Sequence, residues 1–227
     1  MPIVTMYDTI GRDSMRIPAG AEKVAGYVTG SPDIIWTTSD WEKFARAGRV
    51  RIDQSPDGAL YQNGHADVHD IERLAGTPEK FAGLAVRRHA RGWPNCPYGS
   101  TVALQAAAAA LDAIHYDNAP PGWWHGMDAW LANPDLSIAE ADALVGKPYL
   151  GFILRAVQWA TPRSNPNTGV IGGTLASLNL DLSVADSTWF PAPPVPPELG
   201  WLQPVLTTAR ALKDDIDGLI MALEAHQ

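Results

Sequence analysis

The chain has 227 residues, of which 46% are hydrophobic, and its formal net charge is −8. A chain of this length and composition can bury a full core, as one barrel-sized domain or as two small ones. The acidic balance and the lack of a Lys/Arg-rich run exclude the charge pattern of proteins that bind nucleic acid or anionic membranes. No stretch approaches the roughly 18 apolar residues of a membrane span, and we expect no signal peptide.

Apolar, β-rich runs alternate with helical patterns along most of the chain. Eight strands are predicted, at Ile3–Asp8, Val24–Val28, Val50–Asp53, Ala66–Glu72, Cys96–Gly99, Trp123–Leu131, Tyr149–Trp159 and Ala176–Asp181. Four helices are predicted between them, opening at the capping box Ser39–Glu42, at Thr77–Pro78, at Ser100 and at a second capping box, Ser137–Glu140. Because no Gly-rich phosphate loop follows the first strand, we expect a parallel α/β barrel rather than a flat doubly wound sheet. The expected fold is a (β/α)8 TIM-like barrel, somewhat degenerate because some of its helices are incomplete.

Acidic side chains stand at the ends of three predicted strands. Asp70 and Glu72 lie two residues apart, so that on a strand they share one face and lie roughly 6 to 7 Å apart. That separation suits the acid and its partner in hydrolysis of a glycosidic bond. Asp8 and Asp181 close two other predicted strands, and barrel active sites lie at the carboxyl ends of strands. We therefore expect Asp8, Asp70, Glu72 and Asp181 to form one catalytic pocket.

Glu72 is the predicted general acid, because a neighbouring carboxylate raises the pKa of whichever group keeps the proton. Asp70 is then expected to remain charged. It would either stabilise an oxocarbenium-like transition state or orient an N-acetyl group that attacks in its place. Asp8 and Asp181 would fix sugar hydroxyls or a water molecule. The alternative is a satisfied polar network in the mouth of a barrel, which the spacing leaves open.

His65, Asp67 and His69 alternate as metal ligands on a strand can, but they would point away from Asp70 and Glu72. A zinc site usually needs three or four strong ligands, so we predict no metal and no cofactor.

The nine tryptophans include candidates for glycan binding, since sugar rings stack on flat aromatic faces. Most are expected in the core. Trp123, Trp124 and Trp159 lie near predicted strand ends and are the candidate substrate-binding residues among them.

The composition changes at Pro191–Pro197, which predicts an extended, semi-rigid linker after a barrel of residues 1–190. Beyond it, apolar residues recur on alternate steps of three and four and predict a heptad helix over residues 198–227. They are Leu202, Val205, Ala209, Leu212, Ile216, Leu219 and Leu223. Such a seam favours a coiled coil that joins copies of the chain. An amphipathic helix folded back on the barrel is the alternative.

Five short segments carry a resemblance to a known family. They are Met6–Asp8, Val24–Val28, His69–Glu72, Ala156–Trp159 and Asp181–Asp186. With these segments, residues 1 to about 190 resemble the glycoside-hydrolase-like domain related to glycoside hydrolase family 25 lysozymes, of the type found in actinobacteria and their phages.

The resemblance implies a (β/α) barrel whose muramidase-like pocket contains the four acids, with Glu72 as the proton donor and peptidoglycan or a similar glycan as the ligand. Tyr27 and Gln158 belong to the matching segments and join the candidate substrate-binding residues. Two departures affect the comparison. Many relatives have Asp where this chain has Thr29, and Asp135–Gly146 resembles an insertion beside the pocket.

Together, the resemblance and the heptad helix predict a muramidase-like protein of a phage virion, as a minor tail or tail-tip component that binds or hydrolyses peptidoglycan. The expected partners are cell-wall glycan, other virion proteins and further copies of the chain, as a homo-oligomer with a trimer among the candidate states. The expected location is the virion tail, or the host cytoplasm before assembly. Two alternatives stay open: a non-catalytic structural or adhesion module of the virion on the same barrel, and a soluble, monomeric endolysin.

Overall fold

The structure is a computed structural model that describes residues 2–72, 75–114, 120–160 and 180–191. The strands are β1 (Ile3–Thr9), β2 (Lys23–Tyr27), β3 (Gly48–Asp53), β4 (Val68–Asp70), β5 (Pro97–Ser100), β6 (Asp128–Ala132), β7 (Pro148–Tyr149), β8 (Phe152–Ala160) and β9 (Asp181–Asp186). The helices are α1 (Thr38–Lys43), α2 (Ala59–Gln62), α3 (Pro78–His89), α4 (Thr101–Ala113) and α5 (Ile138–Leu144), with a 3-10 helix at Gly11–Arg16.

Within these described ranges, eight of the nine strands close into a barrel. Strands β1 to β6 pair in order, β6 pairs with β8, and β9 joins β8 to β1. The two-residue β7 forms a short antiparallel ribbon with β8. The predicted α/β barrel is therefore confirmed as a closed, eight-stranded barrel with helices in its connections.

The direction of β9 departs from the prediction. Strands β1 to β6 and β8 are parallel, but β9 runs antiparallel to both of its neighbours. The amino end of β9, rather than its carboxyl end, therefore lies beside the carboxyl ends of the parallel strands. Asp181 does not close a strand, as the sequence suggested. It opens β9 and stands opposite Asp8 in the β1–β9 register.

Three helix starts follow the sequence signals. The side chains of Thr77, Ser100 and Ser137 each accept a backbone N–H from the first turn of α3, α4 and α5. The capping box predicted at Ser39–Glu42 is wrong. Thr37 caps α1 together with Asp40, because Thr37 already has the extended backbone that an N-cap residue requires.

Two predicted strands have different limits because the chain turns within them. Strand β6 begins at Asp128 rather than at Trp123, since Gly122 and Gly126 adopt positive φ in the preceding turns. The run Tyr149–Trp159 is divided between β7 and β8 by a tight turn at Leu150–Gly151, where both residues have positive φ.

The segment Asp135–Gly146 contains α5, which connects β6 to β8 as the ordinary crossover of a barrel. Whether this segment is an insertion relative to the resembled family stays a prediction. Three other sequence predictions lie outside the described residues: the part of the last predicted strand before Leu180, the linker beyond Pro191, and the heptad helix.

The barrel interior is filled by side chains from alternate positions of the strands. Trp130 lies at its centre, fully buried, and its indole Nε1–H donates to the Ser183 hydroxyl at 3.1 Å. At the amino end of the parallel strands, the buried Lys23 ammonium donates to the carbonyl of Trp189 and, at 3.3 Å, to that of Phe190. A second, larger apolar cluster packs α3, α4 and α5 against the outer face. Among the described helices, none is both long and apolar enough to cross a membrane.

Candidate active site

Three strands deliver aspartates to the same end of the barrel. Asp8 and Asp70 lie at the carboxyl ends of β1 and β4, and Asp181 lies at the amino end of the antiparallel β9. Glu72 follows β4 by two residues. We refer to Asp8, Asp70, Glu72 and Asp181 as the acid pocket.

Tyr27, at the carboxyl end of β2, shows that the four acids lie around one point. Burial raises the pKa of its phenol well above the ordinary value, and the charges of Asp8, Asp70, Asp181 and Glu72 each raise it further. Tyr27 therefore lies near all four acids that the sequence selected, at the same end of the barrel.

Asp70 and Glu72 are arranged differently from two residues on one strand. The Asp70 Oδ1 atom accepts the backbone N–H of Glu72 at 2.9 Å, and β4 ends at Asp70. This local bond turns the chain out of the strand, as Asp side chains often do. The Glu72 Oε1 atom accepts the backbone N–H of Ser100, the N-cap residue of α4, at 3.1 Å. The prediction that the strand extends to Glu72 is therefore wrong, and the Asp70 and Glu72 carboxyl groups are each held by a separate hydrogen bond.

Burial is the largest influence on the pKa of every acid in the pocket. It raises the pKa of Asp70 and of Asp181 to about 7. It also raises the pKa of Glu72, against the opposing bond from Ser100. Asp70 is only 7% exposed, so its carboxyl group keeps a proton to a higher pH than an exposed aspartate does. The role of Asp70 as the charged partner of Glu72 stays a prediction.

Asp8 is the most enclosed of the four. It is 0% exposed, and neither carboxylate oxygen has a hydrogen-bond partner within the described part of the chain. Burial, followed by the charges of Asp181 and Asp70, raises its pKa well above the ordinary value. An ionised carboxylate without donors is costly to bury, so Asp8 keeps its proton over most of the ordinary pH range.

Gln158 lies in the pocket, bonded to protein groups. Its Oε1 atom accepts the Tyr98 hydroxyl at 2.5 Å. The nearby Gln158 side chain lowers the pKa of Asp181, against the effect of burial. Both Gln158 and Tyr98 are almost fully buried. Gln158, predicted as a substrate-binding residue, is therefore placed to orient an acid.

The three candidate tryptophans do not reach the pocket. Trp123 and Trp124 precede β6 and so lie towards the amino end of the barrel, where Trp124 Nε1–H donates to Asp112 at 2.9 Å. Trp159 follows Gln158 on β8 and belongs to the apolar cluster between barrel and helices. The sequence placed these residues too near the pocket because the limits of the sixth strand were misjudged and because alternate strand residues face opposite sides.

Tyr98 is a pocket residue that sequence reasoning missed. Burial raises the pKa of its phenol well above the ordinary value, and Tyr27, Asp8, Glu72 and Asp181 add to the effect. The signal was present, because Tyr98 lies at the carboxyl end of a predicted strand, where barrel sites form.

An open cavity of about 440 Å³ adjoins the acid pocket at Glu72. Its lining combines two polar residues with aliphatic ones: Glu72, Ser100, Ile71, Pro78, Val102, Ala103 and Ala106. Val102 is 75% exposed at its rim. Glu72 can therefore meet a molecule from solution, whereas Asp8 is sealed.

Two of the three residues weighed as metal ligands, Asp67 and His69, have other partners. Asp67 forms an ion pair with Arg51 at 2.8 Å, and His69 Nδ1 lies 3.2 Å from the carbonyl oxygen of Asp53. In the part of the chain that the structure describes, no group of His, Cys, Asp and Glu side chains is arranged to hold a metal ion.

Comparison with known proteins adds no name to this site. No family model matches the sequence, and neither a curated protein nor a solved structure matches the chain.

Proposed function

We propose that the acid pocket hydrolyses glycosidic bonds in cell-wall peptidoglycan or a similar glycan, in the manner of a muramidase. One observation carries the proposal: four acids surround Tyr27 at one end of a closed barrel, and one of them, Glu72, faces an open cavity. Glycoside hydrolysis needs a carboxylic acid with a raised pKa and a second carboxylate nearby. The short motifs shared with the family 25 lysozyme-like domain support the same assignment.

Glu72 is the proton donor in this proposal, because it is the acid that lines the cavity. Its carboxyl proton passes to the glycosidic oxygen as the bond from that oxygen to the sugar carbon breaks. The ionised Asp70, held by the Glu72 N–H, stabilises the positive charge that develops on the sugar. Asp181, which is partly exposed, holds a sugar hydroxyl or the water molecule that completes the hydrolysis, and the sealed Asp8 supports it from the neighbouring strand.

Replacement of Glu72 by Gln tests the mechanism. The amide keeps the acceptor for the Ser100 N–H but removes the acidic proton, so release of reducing ends from purified actinobacterial peptidoglycan should fall by about 100-fold or more. Glu79→Gln, an exposed change in the first turn of α3, should release reducing ends at the wild-type rate. If Glu72→Gln still releases reducing ends at the wild-type rate, Glu72 is excluded as the proton donor.

A second candidate function is glycan binding without cleavage, as a structural or adhesion module. It is favoured by the raised pKa values of Asp70 and Asp181, because a carboxyl group that keeps its proton can donate a hydrogen bond to a sugar hydroxyl. It predicts that wild type and Glu72→Gln both sediment with peptidoglycan while neither releases reducing ends.

We propose in addition that the protein acts in a phage virion, as a minor tail or tail-tip component displayed in several copies. The heptad pattern of residues 198–227 supports this setting, with other virion proteins and further copies of the chain as partners. The protein would then be found in the virion tail, or in the host cytoplasm before assembly.

Lysines in the heptad seam test the assembly. The double change Leu212→Lys and Leu219→Lys in the full chain should convert an oligomer into a monomer in sedimentation velocity, because it buries like charges in the seam. Thr207→Lys, outside the seam, should leave the oligomer intact. A wild-type protein that is already monomeric would remove the argument for assembly and favour a soluble endolysin.

A further inference from the structure

A hydrogen bond joins β5 to β8 in the acid pocket, beside Asp181 on β9. The Tyr98 hydroxyl donates to Gln158 Oε1 at 2.5 Å, and the Gln158 side chain lies near enough to Asp181 to lower the pKa of that carboxyl group. The register of the barrel accounts for this placement. Gln158 on β8 stands opposite Ser183 on β9, and Asp181 lies two residues from Ser183, on the same face.

The bond to Tyr98 fixes which end of the Gln158 amide faces Asp181. A carboxamide has an oxygen that only accepts hydrogen bonds and an NH2 group that only donates them. Because the Tyr98 hydroxyl occupies the oxygen, the NH2 group of Gln158 is the part that remains for the Asp181 carboxylate. A flipped amide would present its oxygen to Asp181 and leave the buried Tyr98 hydroxyl without its acceptor, which is costly in a dry site.

Asp8 lacks any comparable donor. It stands directly opposite Asp181 in the antiparallel β1–β9 pair, where Cβ atoms are about 4.5 to 5.5 Å apart. Neither Asp8 oxygen is hydrogen-bonded to a described residue, whereas Asp181 lies on the same face as Gln158, diagonally across the β8–β9 pair and within reach of its amide. The other titratable groups that act on Asp8 or share its pocket are Asp70 on β4, Glu72 beyond it, Tyr27 on β2 and Tyr98 on β5. None of them brings a positive charge, so the neighbouring strands favour a neutral Asp8.

We propose that Tyr98 and Gln158 are positioning residues of the acid pocket: the Tyr98 hydroxyl fixes the Gln158 amide so that its NH2 group faces Asp181, which places the negative charge on Asp181 and keeps the proton on Asp8. Asp8 on β1 and Asp181 on β9 thereby differ in charge and in hydrogen-bonding capacity. Asp181, which is partly exposed, becomes the acceptor for a hydroxyl or a water molecule, and the sealed Asp8 stays neutral beside it. The catalytic meaning of this arrangement rests on the proposed hydrolysis, but the placement of the proton exists without any substrate.

Carboxyl 13C NMR titration of the full chain, labelled at the aspartate Cγ atoms, tests the proposal. Asp8→Asn and Asp181→Asn assign the two resonances. In the wild type, Asp181 should ionise at a lower pH than Asp8. In Tyr98→Phe, which removes one oxygen, the Asp181 midpoint should rise by about 0.5 to 1 pH unit, because a hydrogen bond that orients the amide is lost. Tyr7→Phe removes a hydroxyl from the opposite face of β1 and should leave both midpoints unchanged.

Gln158→Met provides a second variant if Tyr98→Phe does not fold, as judged by its proton–nitrogen correlation spectrum. It removes the donor itself and should raise the Asp181 midpoint at least as far. An Asp8 that ionises before Asp181 in the wild type would overturn the proposal, and so would an Asp181 midpoint that stays constant in the folded variant. Because no glycan is used, failure of the proposed hydrolysis would leave these titrations unchanged, and the two failures are distinguishable.

Discussion

The raised pKa of Asp70 allows the free-energy cost of burying its carboxylate in the barrel to be measured. In the folded chain its pKa is raised from 3.8 to about 7, mainly by burial, so between about pH 4 and pH 7 the folded state binds a proton that the unfolded state has released. The free energy of unfolding therefore falls as the pH rises through this window. Each pKa unit corresponds to about 1.4 kcal/mol, which gives about 4 kcal/mol for Asp70 if it titrated alone.

Asp70→Asn removes this penalty and keeps the acceptor for the Glu72 N–H. We expect the variant and the wild type to be about equally stable at pH 4, where both side chains are neutral. At pH 8 the variant should be more stable by about 2 to 4 kcal/mol, the lower figure allowing for repulsion that the other acids share. Acids elsewhere contribute equally to both proteins and cancel in the difference.

Urea unfolding followed by tryptophan fluorescence at several pH values, at one protein concentration, provides the measurement. Asp33→Asn, an exposed change outside the pocket, serves as the matched control and should follow the wild-type curve. The Asp70→Asn variant could instead be less stable than the wild type at pH 8, or its stability could depend on pH as that of the wild type does. Either result would show that the buried Asp70 carboxylate does not destabilise the folded state.

Two further predictions concern the pH dependence of hydrolysis and the packing around Gly76. The proposed hydrolysis requires Glu72 protonated and Asp70 ionised, so kcat/KM for peptidoglycan should rise as Asp70 ionises and fall as Glu72 loses its proton; a rate that keeps rising to pH 9 would contradict the assignment. In urea unfolding, Gly76→Ala should cost about 1 to 3 kcal/mol, since its Cβ would lie 2.1 Å from His69 Nε2 and 2.9 Å from the Asp70 carbonyl oxygen. Gly83→Ala, within α3 with no atom within 4 Å of the added Cβ, should instead stabilise by about 0.5 to 1 kcal/mol, and equal effects would refute the packing argument.

The sequence was most informative where a local signal decided the structure. Proline at the first position of α3, the Ser100 cap and the Ser137–Glu140 capping box each satisfy backbone groups within a few residues, so their helices could be located directly. The closed α/β barrel followed from the alternation of elements, because parallel strands need crossovers between them.

Features that depend on long-range pairing could not be read in the same way. The direction of β9 is set by pairing with β1 and β8, and no residue within Asp181–Asp186 encodes it. The role of Gln158 depends on Tyr98, which lies 60 residues earlier in the chain. Asp70 and Glu72 were placed in one pocket correctly, but the turn between them comes from a side-chain bond to the backbone that competes with the strand pattern.

The antiparallel β9 explains how two acids come to share one proton in this pocket. Its first residue, Asp181, meets the carboxyl end of β1 and faces Asp8 directly, as residues opposite each other in an antiparallel pair do. Like charges at that distance in a dry interior cannot both be ionised at low cost, so the pair holds a proton that separate aspartates would release. The short distance between Asp8 and Asp181 raises the free energy of the ionised pocket. A positively charged transition state would lower that free energy. The antiparallel direction of β9, which the sequence pattern did not predict, thus brings two acids close together where the proposed hydrolysis develops positive charge.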